Sequence, residues 1–485
     1  MRTLVIDVGT SGLRAAIVND DTSLTSLHHV EFAPSSPAGG LVEFDAAAMW
    51  EAVLGVSTLA MDGHDVDAVG ITNQRASTVC WRRSTGQPLG PAIGWQDLRT
   101  VGECIMARAM HGLALAPNQS ATKIAWMLAN YVADGEKESD DILFGTVDTW
   151  LTWKLSGGAV HVTDRTNAAV TGLSLADGTG WNPKVLEALG INAHQLPTIV
   201  PTTGECARAV ALQGAPPVTA LVGDQQASLV GQGCITPGRA KITFGTGGML
   251  DMFVGTTAPE SARRTDGGTF PIVAHSSASH TAYGVEAIML AAGTNIEWLR
   301  DDMGLISTPA ESDSVAASVP DTGGVVYVPA LLGLGTPHWD YGARGTLLGI
   351  TRGTTRAHIV RAVLEGIAHS GVDLVEAAEA DAGLTIDTIN VDGGMSRNAT
   401  FVQALADAAG RPVVVSPVTE ATTLGAGFLA GTAVGQWDSL ETACSRTQGF
   451  RTVSPLGGPG TPRQQWGQAV ARAKAWIPDL SALDF

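Results

Sequence analysis

Cysteine is scarce. The five in 485 residues (Cys80, Cys104, Cys206, Cys234 and Cys444) are scattered and form no CxxC pair. Disulfide frameworks and thiolate metal sites need clustered cysteines, so buried reduced thiols are the expectation. Positive charge is also short: 29 Lys and Arg face 47 Asp and Glu, a formal net charge of −18. Non-specific nucleic-acid binding relies on basic patches, and no nucleic-acid partner is expected. No run approaches the ~20 apolar residues of a membrane span. The amino terminus has one Arg and then a strand interrupted at Asp7, so it lacks a signal-peptide core. A cytoplasmic protein without a membrane partner is expected by default. The GxxxxGK[S/T] phosphate loop is missing too, which excludes a P-loop enzyme.

What remains is a globular composition, 45% hydrophobic and 16% charged. The chain is too long for one ordinary core, so two large domains are expected.

Three stretches stand out. Val218–Val222 reads as a buried strand that delivers Asp224 at its end, followed by Gln225 and Gln226. Ile242-Thr243-Phe244-Gly245-Thr246-Gly247-Gly248 is a strand running into a glycine-rich turn, and Leu4–Gly12 is another. Residues 1–20 form a hairpin pattern around Gly9–Gly12. Helical patterns cover Phe44–Leu59, Ala287–Asp301, Thr355–Ala377 and Pro462–Ala475, and 105–199 is helix-rich. Trp150 and Trp153 read as core. Strand–turn–strand units followed by helices in both halves predict a twofold-repeated α/β architecture with a cleft between the halves.

Phosphoryl transfer needs donors for phosphate oxygens, a Mg²⁺ anchor, and a base for the attacking hydroxyl. Gly9-Thr10-Ser11-Gly12 and Gly245-Thr246-Gly247 supply backbone N–H groups and hydroxyls from two parts of the chain. Asp7 is placed to hold Mg²⁺. Asp224, between the turns and without a Lys or Arg beside it in sequence, is the candidate base. Taken singly, an Asp at the start of a helix is as readily a cap.

Ile71-Thr72-Asn73-Gln74-Arg75, Gly145–Leu151, His161-Val162-Thr163-Asp164 and Gly223–Ala227 resemble the FGGY family of carbohydrate kinases, and within it the glycerol-kinase branch. Gly245-Thr246-Gly247, Pro337-His338-Trp339-Asp340, Ala343-Arg344-Gly345, Val391–Gly394 and Glu420–Gly431 carry the same resemblance, which runs over nearly the whole chain. It implies two actin-like (ribonuclease-H-like) ATPase domains. The first, 1–234, would hold substrate and base, and the second, 235–485, nucleotide. It further implies that Asp7 lies near Mg²⁺ and that Thr10, Ser11, Gly12 and Arg14 serve the phosphate end of ATP. Thr246, Gly247 and Gly293 would contact nucleotide phosphates, Gly394, Met395 and Asn398 the adenosine side, and Gln225 and Arg75 the substrate hydroxyls. Glu297 stands where the family usually has glutamine. A homodimer is the family-level expectation.

The substrate pocket departs from the glycerol-kinase pattern. Ala76 replaces the Glu after Asn-Gln-Arg, Asn118 replaces a tyrosine, and Met249 replaces a phenylalanine. Trp95-Gln96-Asp97-Leu98-Arg99 carries Asp97 where that branch has cysteine. A roomier, wetter pocket follows, with Asp97 and Asn118 reaching extra hydroxyls. A four- to five-carbon polyol or ketose is therefore expected, with glycerol as the alternative. An actin- or chaperone-like ATPase, or a silent sensor, would share the phosphate turns but gives no reason for Asn73-Gln74-Arg75.

Overall fold

Apolar runs broken by Gly-Thr steps fold into two matching hairpins in the computed structural model, which describes residues 1–260, 267–418, 420–458 and 460–482. Arg2–Val8 pairs antiparallel with Gly12–Asn19, and the Gly9 N–H closes the turn by donating to the Gly12 carbonyl at 2.9 Å. Ala240–Phe244 pairs in the same way with Gly248–Gly255, closed by the Gly245 N–H donating to the Gly247 carbonyl at 2.9 Å.

Each hairpin sits inside a sheet of the same construction. The first runs Thr203–Arg208, Pro217–Gly223, Ala68–Asn73, Arg2–Val8, Gly12–Asn19, Leu24–Glu31. The second runs Arg451–Val453, Val413–Val415, Ile389–Asp392, Ala240–Phe244, Gly248–Gly255, Thr281–Met289, with Phe270–Ser276 added at the edge. In both, the successive pairings are antiparallel, parallel, parallel, antiparallel, antiparallel. The repeat expected from two glycine turns therefore extends to whole sheets. The parallel strands are buried on both faces, as a layered α/β arrangement requires.

The first half carries an extra lobe, a four-stranded sheet of Glu43–Phe44, Ala92–Ile93, Thr78–Arg82 and Ile142–Thr146. Trp150 and Trp153 stack at 6.0 Å beside Trp81 and are core, as their apolar setting suggested. The expected helix Ala287–Asp301 begins only at Gly293. Before it, Thr281–Met289 stays extended because Val285, Ala287 and Met289 alternate into the core while the backbone pairs with Gly248–Gly255. Among the described residues no helix is long and apolar enough to cross a membrane.

Two helices in equivalent places join the halves: Asp224–Gly231 after the strand Pro217–Gly223, and Ala421–Ala433 after Val413–Val415. They cross at backbone contact. A Cβ at Gly231 would run into the Ala421 carbonyl, and one at Gly425 into the Ala227 carbonyl. Leu424 and Phe428 then pack with Val5, Val18 and Val222 from the first sheet.

Gly425→Ala is expected to lower the unfolding free energy by about 1–3 kcal/mol through overpacking. Gly55→Ala, in the helix Ala46–Met61 and facing open space, should instead stabilise by roughly 0.5–1 kcal/mol. Denaturant midpoints of the two variants check both signs.

Candidate active site

The two glycine turns are the floor of the site. Among the described residues, the N–H groups of Thr10, Ser11, Thr246 and Gly247 take no hydrogen-bond partner, so both turns present free donors. Glycine is required at 247, where a Cβ would stand 2.7 Å from the Met289 carbonyl. Gly293, expected to contact a nucleotide phosphate, lies at the second turn, where its N–H donates to the Gly245 carbonyl at 2.8 Å and locks that turn.

Asp7 ends the first strand, 5% exposed, and accepts from the Thr423 hydroxyl at 3.1 Å. Arg14, opposite it in the hairpin, lies 3.7 Å from Asp7 and also pairs with Glu420 of the other half. Burial pushes the Asp7 carboxyl up despite Arg14 and Thr423. A buried carboxylate so short of compensating charge fits a cation. Mg²⁺ suits it, since that ion is held by one or two carboxylates with phosphate oxygens and water completing the shell.

Asp224 opens its helix directly behind Gly223, with a quarter of its side chain exposed. Its Oδ1 accepts from the Gln225 N–H at 2.8 Å and lies 3.6 Å from Arg75 Nε. Burial raises its affinity for a proton, and Arg75, the Gln225 amide and Lys241 partly offset that. Arg75 reaches Asp224 because Gly223 has no side chain: a Cβ there would stand 2.6 Å from Arg75 Cδ. The Gly223 N–H is tied to the Thr166 hydroxyl at 2.8 Å, and Asp164 caps the helix that carries Thr166. The His161–Asp164 motif thus braces the strand end that presents Asp224. Arg75 Nη1 is buried with no hydrogen-bond partner. It is a donor aimed beside a carboxylate and left over.

The other sequence-predicted residues divide. Trp95 lies at the first turn, its indole N–H donating to the Thr10 hydroxyl at 3.1 Å. Ala76 adopts φ 62°, and its carbonyl accepts from the Ser120 and Thr78 hydroxyls. Asn118 is exposed and Met249 half-buried. Asp97 requires correction. It is fully buried, accepts from the Val42 N–H at 2.6 Å and the Arg99 N–H at 2.9 Å, and pairs with the Arg99 guanidinium at 2.8 Å. Burial would raise its pKa, but these donors outweigh burial and hold it below the usual range. Its two oxygens take four hydrogen bonds from Val42 and Arg99, so they are consumed by the fold instead of being left for extra hydroxyls. Asn398 caps the helix Ala399–Ala409 through Phe401 N–H and donates to the Ser312 hydroxyl. Met395 packs inward, whereas Gly394 and Glu297 are exposed.

Sequence reasoning missed four charged residues. Glu286 pairs with Arg75 at 2.6 Å, and Lys241 holds Asp251 at 2.8 Å and the Gln225 carbonyl oxygen at 2.6 Å. Asp392 accepts from Ser228 and Gln232 of the crossing helix. All stand in strands whose register is invisible in the sequence; the signal that could have found them was a charge within an otherwise apolar run.

Residues 2–231 match the model of the N-terminal domain of the FGGY family of carbohydrate kinases, and residues 240–434 that of its C-terminal domain. A protein named glycerol kinase from Trichlorobacter lovleyi is 42% identical over 494 residues, covering 98% of this chain and 99% of its own. Among solved structures, a Plasmodium falciparum glycerol kinase with ADP superposes with a TM-score of 0.90 at 28% identity, over 97% of this chain and 98% of that one. A structure described as a xyloylose kinase from Brucella ovis has a TM-score of 0.85 at 24% identity over the whole of both chains, a likeness of fold.

Asp97→Ala leaves Arg99 a buried and partly uncompensated cation, so a loss of about 3–5 kcal/mol of stability is expected. The stability contributed by the depressed Asp97 pKa is present above the ordinary carboxylate range and lost as pH falls through the folded value. Acid unfolding followed by circular dichroism should therefore show the variant's deficit shrinking at low pH.

Proposed function

The chain belongs to the FGGY family of carbohydrate kinases, and from that premise we propose that it transfers the γ-phosphoryl group of ATP to a terminal hydroxyl of glycerol. The observation that carries this reading is the buried, unpartnered Arg75 Nη1 beside Asp224, the carboxylate that opens a helix at the junction of the two halves. In it, the first half (1–234) supplies the base and acceptor contacts and the second (235–485) most nucleotide contacts. Arg75 Nη1 donates to one acceptor hydroxyl. Gln225, whose carbonyl oxygen is taken by Lys241, offers its amide N–H₂ to another. Asp224 accepts the proton of the attacking hydroxyl, and burial makes it a stronger proton acceptor than an ordinary carboxylate. The free N–H groups at Thr10, Ser11, Thr246 and Gly247 receive phosphate oxygens from both sides. Bound at Asp7, Mg²⁺ would neutralise charge on the phosphoryl group in flight.

Glycerol takes precedence over the four- to five-carbon acceptor for two reasons. Asp97, one of the two groups meant to meet extra hydroxyls, is committed to Arg99 and Val42. Relatives about as similar as the one from Trichlorobacter carry the glycerol kinase name throughout their length. The longer acceptor remains the second reading because Ala76 is small where a carboxylate is usual and Asn118 is exposed.

ADP release measured over three- to six-carbon polyols and ketoses should give glycerol the highest kcat/KM. A four- or five-carbon acceptor that exceeds it replaces the first reading with the second, and ADP release indifferent to any acceptor points to the actin-like ATPase. Asp224→Asn should cost kcat ~10²–10⁴-fold while nucleotide affinity, followed by calorimetry, is kept.

A further inference from the structure

Arg75 and Gln225 belong to the first half, yet each is held by a charge from the second. Arg75 meets Glu286 on the strand Thr281–Met289; Gln225 meets Lys241 on Ala240–Phe244. Between these two strands lies Gly248–Gly255, and its Asp251 stands opposite both: in register with Glu286 on one side and with Lys241 on the other. The result is one row of three charged side chains across three neighbouring strands, Lys241–Asp251–Glu286, turned towards the cleft. The opposite face of Thr281–Met289 is apolar, with Val285 and Ala287 in the core. All three side chains are buried: Lys241 and Asp251 are fully enclosed and Glu286 is 6% exposed.

Such a row is costly in an interior. Lys241 satisfies one carboxylate, and its further donors go to Gln225 and the Thr243 hydroxyl. The second carboxylate has Arg75. Lys241 and Asp251 compensate one another within the second half, whereas Glu286 has its counter-charge, Arg75, only across the interdomain cleft.

Resting on the kinase reading above, we infer that Glu286 is a positioning residue, which with Asp251 and Lys241 behind it sets Arg75 and Gln225 for the acceptor when the halves close. Glu286 takes one side of the Arg75 fork, which leaves Nη1 as the free donor. Lys241 takes the Gln225 oxygen, which leaves that amide as a donor too. Neither C-domain residue need touch the acceptor. The groups facing Glu286 are Arg75 and Asp251, with Asp224 beyond Arg75 and Lys241 beyond Asp251. Burial pushes the Glu286 carboxyl up, Arg75 opposes that, and Asp251 adds to it, for a value of about 7. The sign follows. Above that pH Glu286 is charged and Arg75 is held; as pH falls through it Glu286 gains a proton and Arg75 loses its anchor.

The test is the acceptor KM as a function of pH, with glycerol as the acceptor, in the wild type and two variants. Glu286→Gln should raise the acceptor KM about 10- to 100-fold, the loss of one charge-assisted hydrogen bond, with the KM for ATP within about twofold. In the wild type the acceptor KM should rise as pH drops through neutrality, and in Glu286→Gln that rise should vanish. Asp251→Asn removes the negative neighbour, so the rise should move to lower pH. Should that variant not fold with Lys241 left unpaired, the presence of the rise in the wild type and its loss in Glu286→Gln decide the inference. A purely structural role would lower stability without moving the pH at which KM changes. Normal wild-type turnover with an unchanged acceptor KM in Glu286→Gln, or a pH dependence that persists in it, overturns this inference alone. A wild type that turns over no polyol overturns the kinase reading and this inference with it.

Discussion

The crossing of the helices Asp224–Gly231 and Ala421–Ala433 is the constraint from which the rest of the molecule follows. With glycine at 231 and 425 the two backbones meet directly, so there is no side-chain layer to slide over. Interiors are packed too densely to deform continuously, and a contact of this kind behaves as a fixed pivot. Each helix also reaches the strand end of the opposite sheet: Thr423 donates to Asp7, while Ser228 and Gln232 hold Asp392. The residues that start these helices, Asp224 and Glu420, are thereby brought to one cleft from chain positions nearly two hundred apart. Position of the site and joining of the halves are a single packing problem.

Polar groups collected at that crossing would be destabilising in an ordinary core. Removing one partner of a buried pair leaves a bare charge, whereas an apolar replacement of the whole set is often tolerated. Stability therefore gives little reason for Arg75, Glu286, Asp251 and Lys241 to exist together. Function gives one, since groups whose environments shift their protonation cluster where chemistry is done. The contrast with Asp97 is instructive. Asp97 is just as buried, but its donors come from within its own lobe and its pKa falls. Asp7, Asp224 and Glu286 all rise, because burial exceeds what their neighbours return. Asp97 is satisfied by its own lobe, whereas Asp7, Asp224 and Glu286 are left under-compensated where the two halves meet.

Local signals in the sequence carried much of this. Both strand–Gly–Thr turns, the strand that delivers Asp224 and the core tryptophans were legible, because each depends on residues within a few positions of one another. The full repeat was not, since strand order and direction depend on pairings between segments more than a hundred residues apart. Leu24–Glu31 has mostly exposed polar side chains and gives no apolar run to read. Asp97 was misread because its tryptophan–arginine setting looked like a ligand motif, whereas Val42, fifty-five residues earlier, claims it. Glu286 and Lys241 escaped notice for the same reason in reverse: a charge in a strand reads as exposed until a cross-strand neighbour is known.

Why position 75 needs arginine can now be argued from geometry. Lysine offers a compact point charge with rotatable donors and would satisfy Asp224 or Glu286 by turning towards one of them. A guanidinium is planar and forked, so Nε can face Asp224 while Nη2 binds Glu286, and the plane is then fixed by two carboxylates from different halves of the chain. With the plane fixed, the direction of Nη1 is fixed as well, and that nitrogen is the one without a protein partner. On the inference drawn above, opening the cleft would withdraw Glu286 and free the plane to rotate. Acceptor orientation and closure would then be one event: water entering an open cleft would meet the proposed base before its neighbouring donor is aimed. Exclusion of solvent and aim of the acceptor would both come from closure, and a kinase needs both to favour transfer to an alcohol over transfer to water.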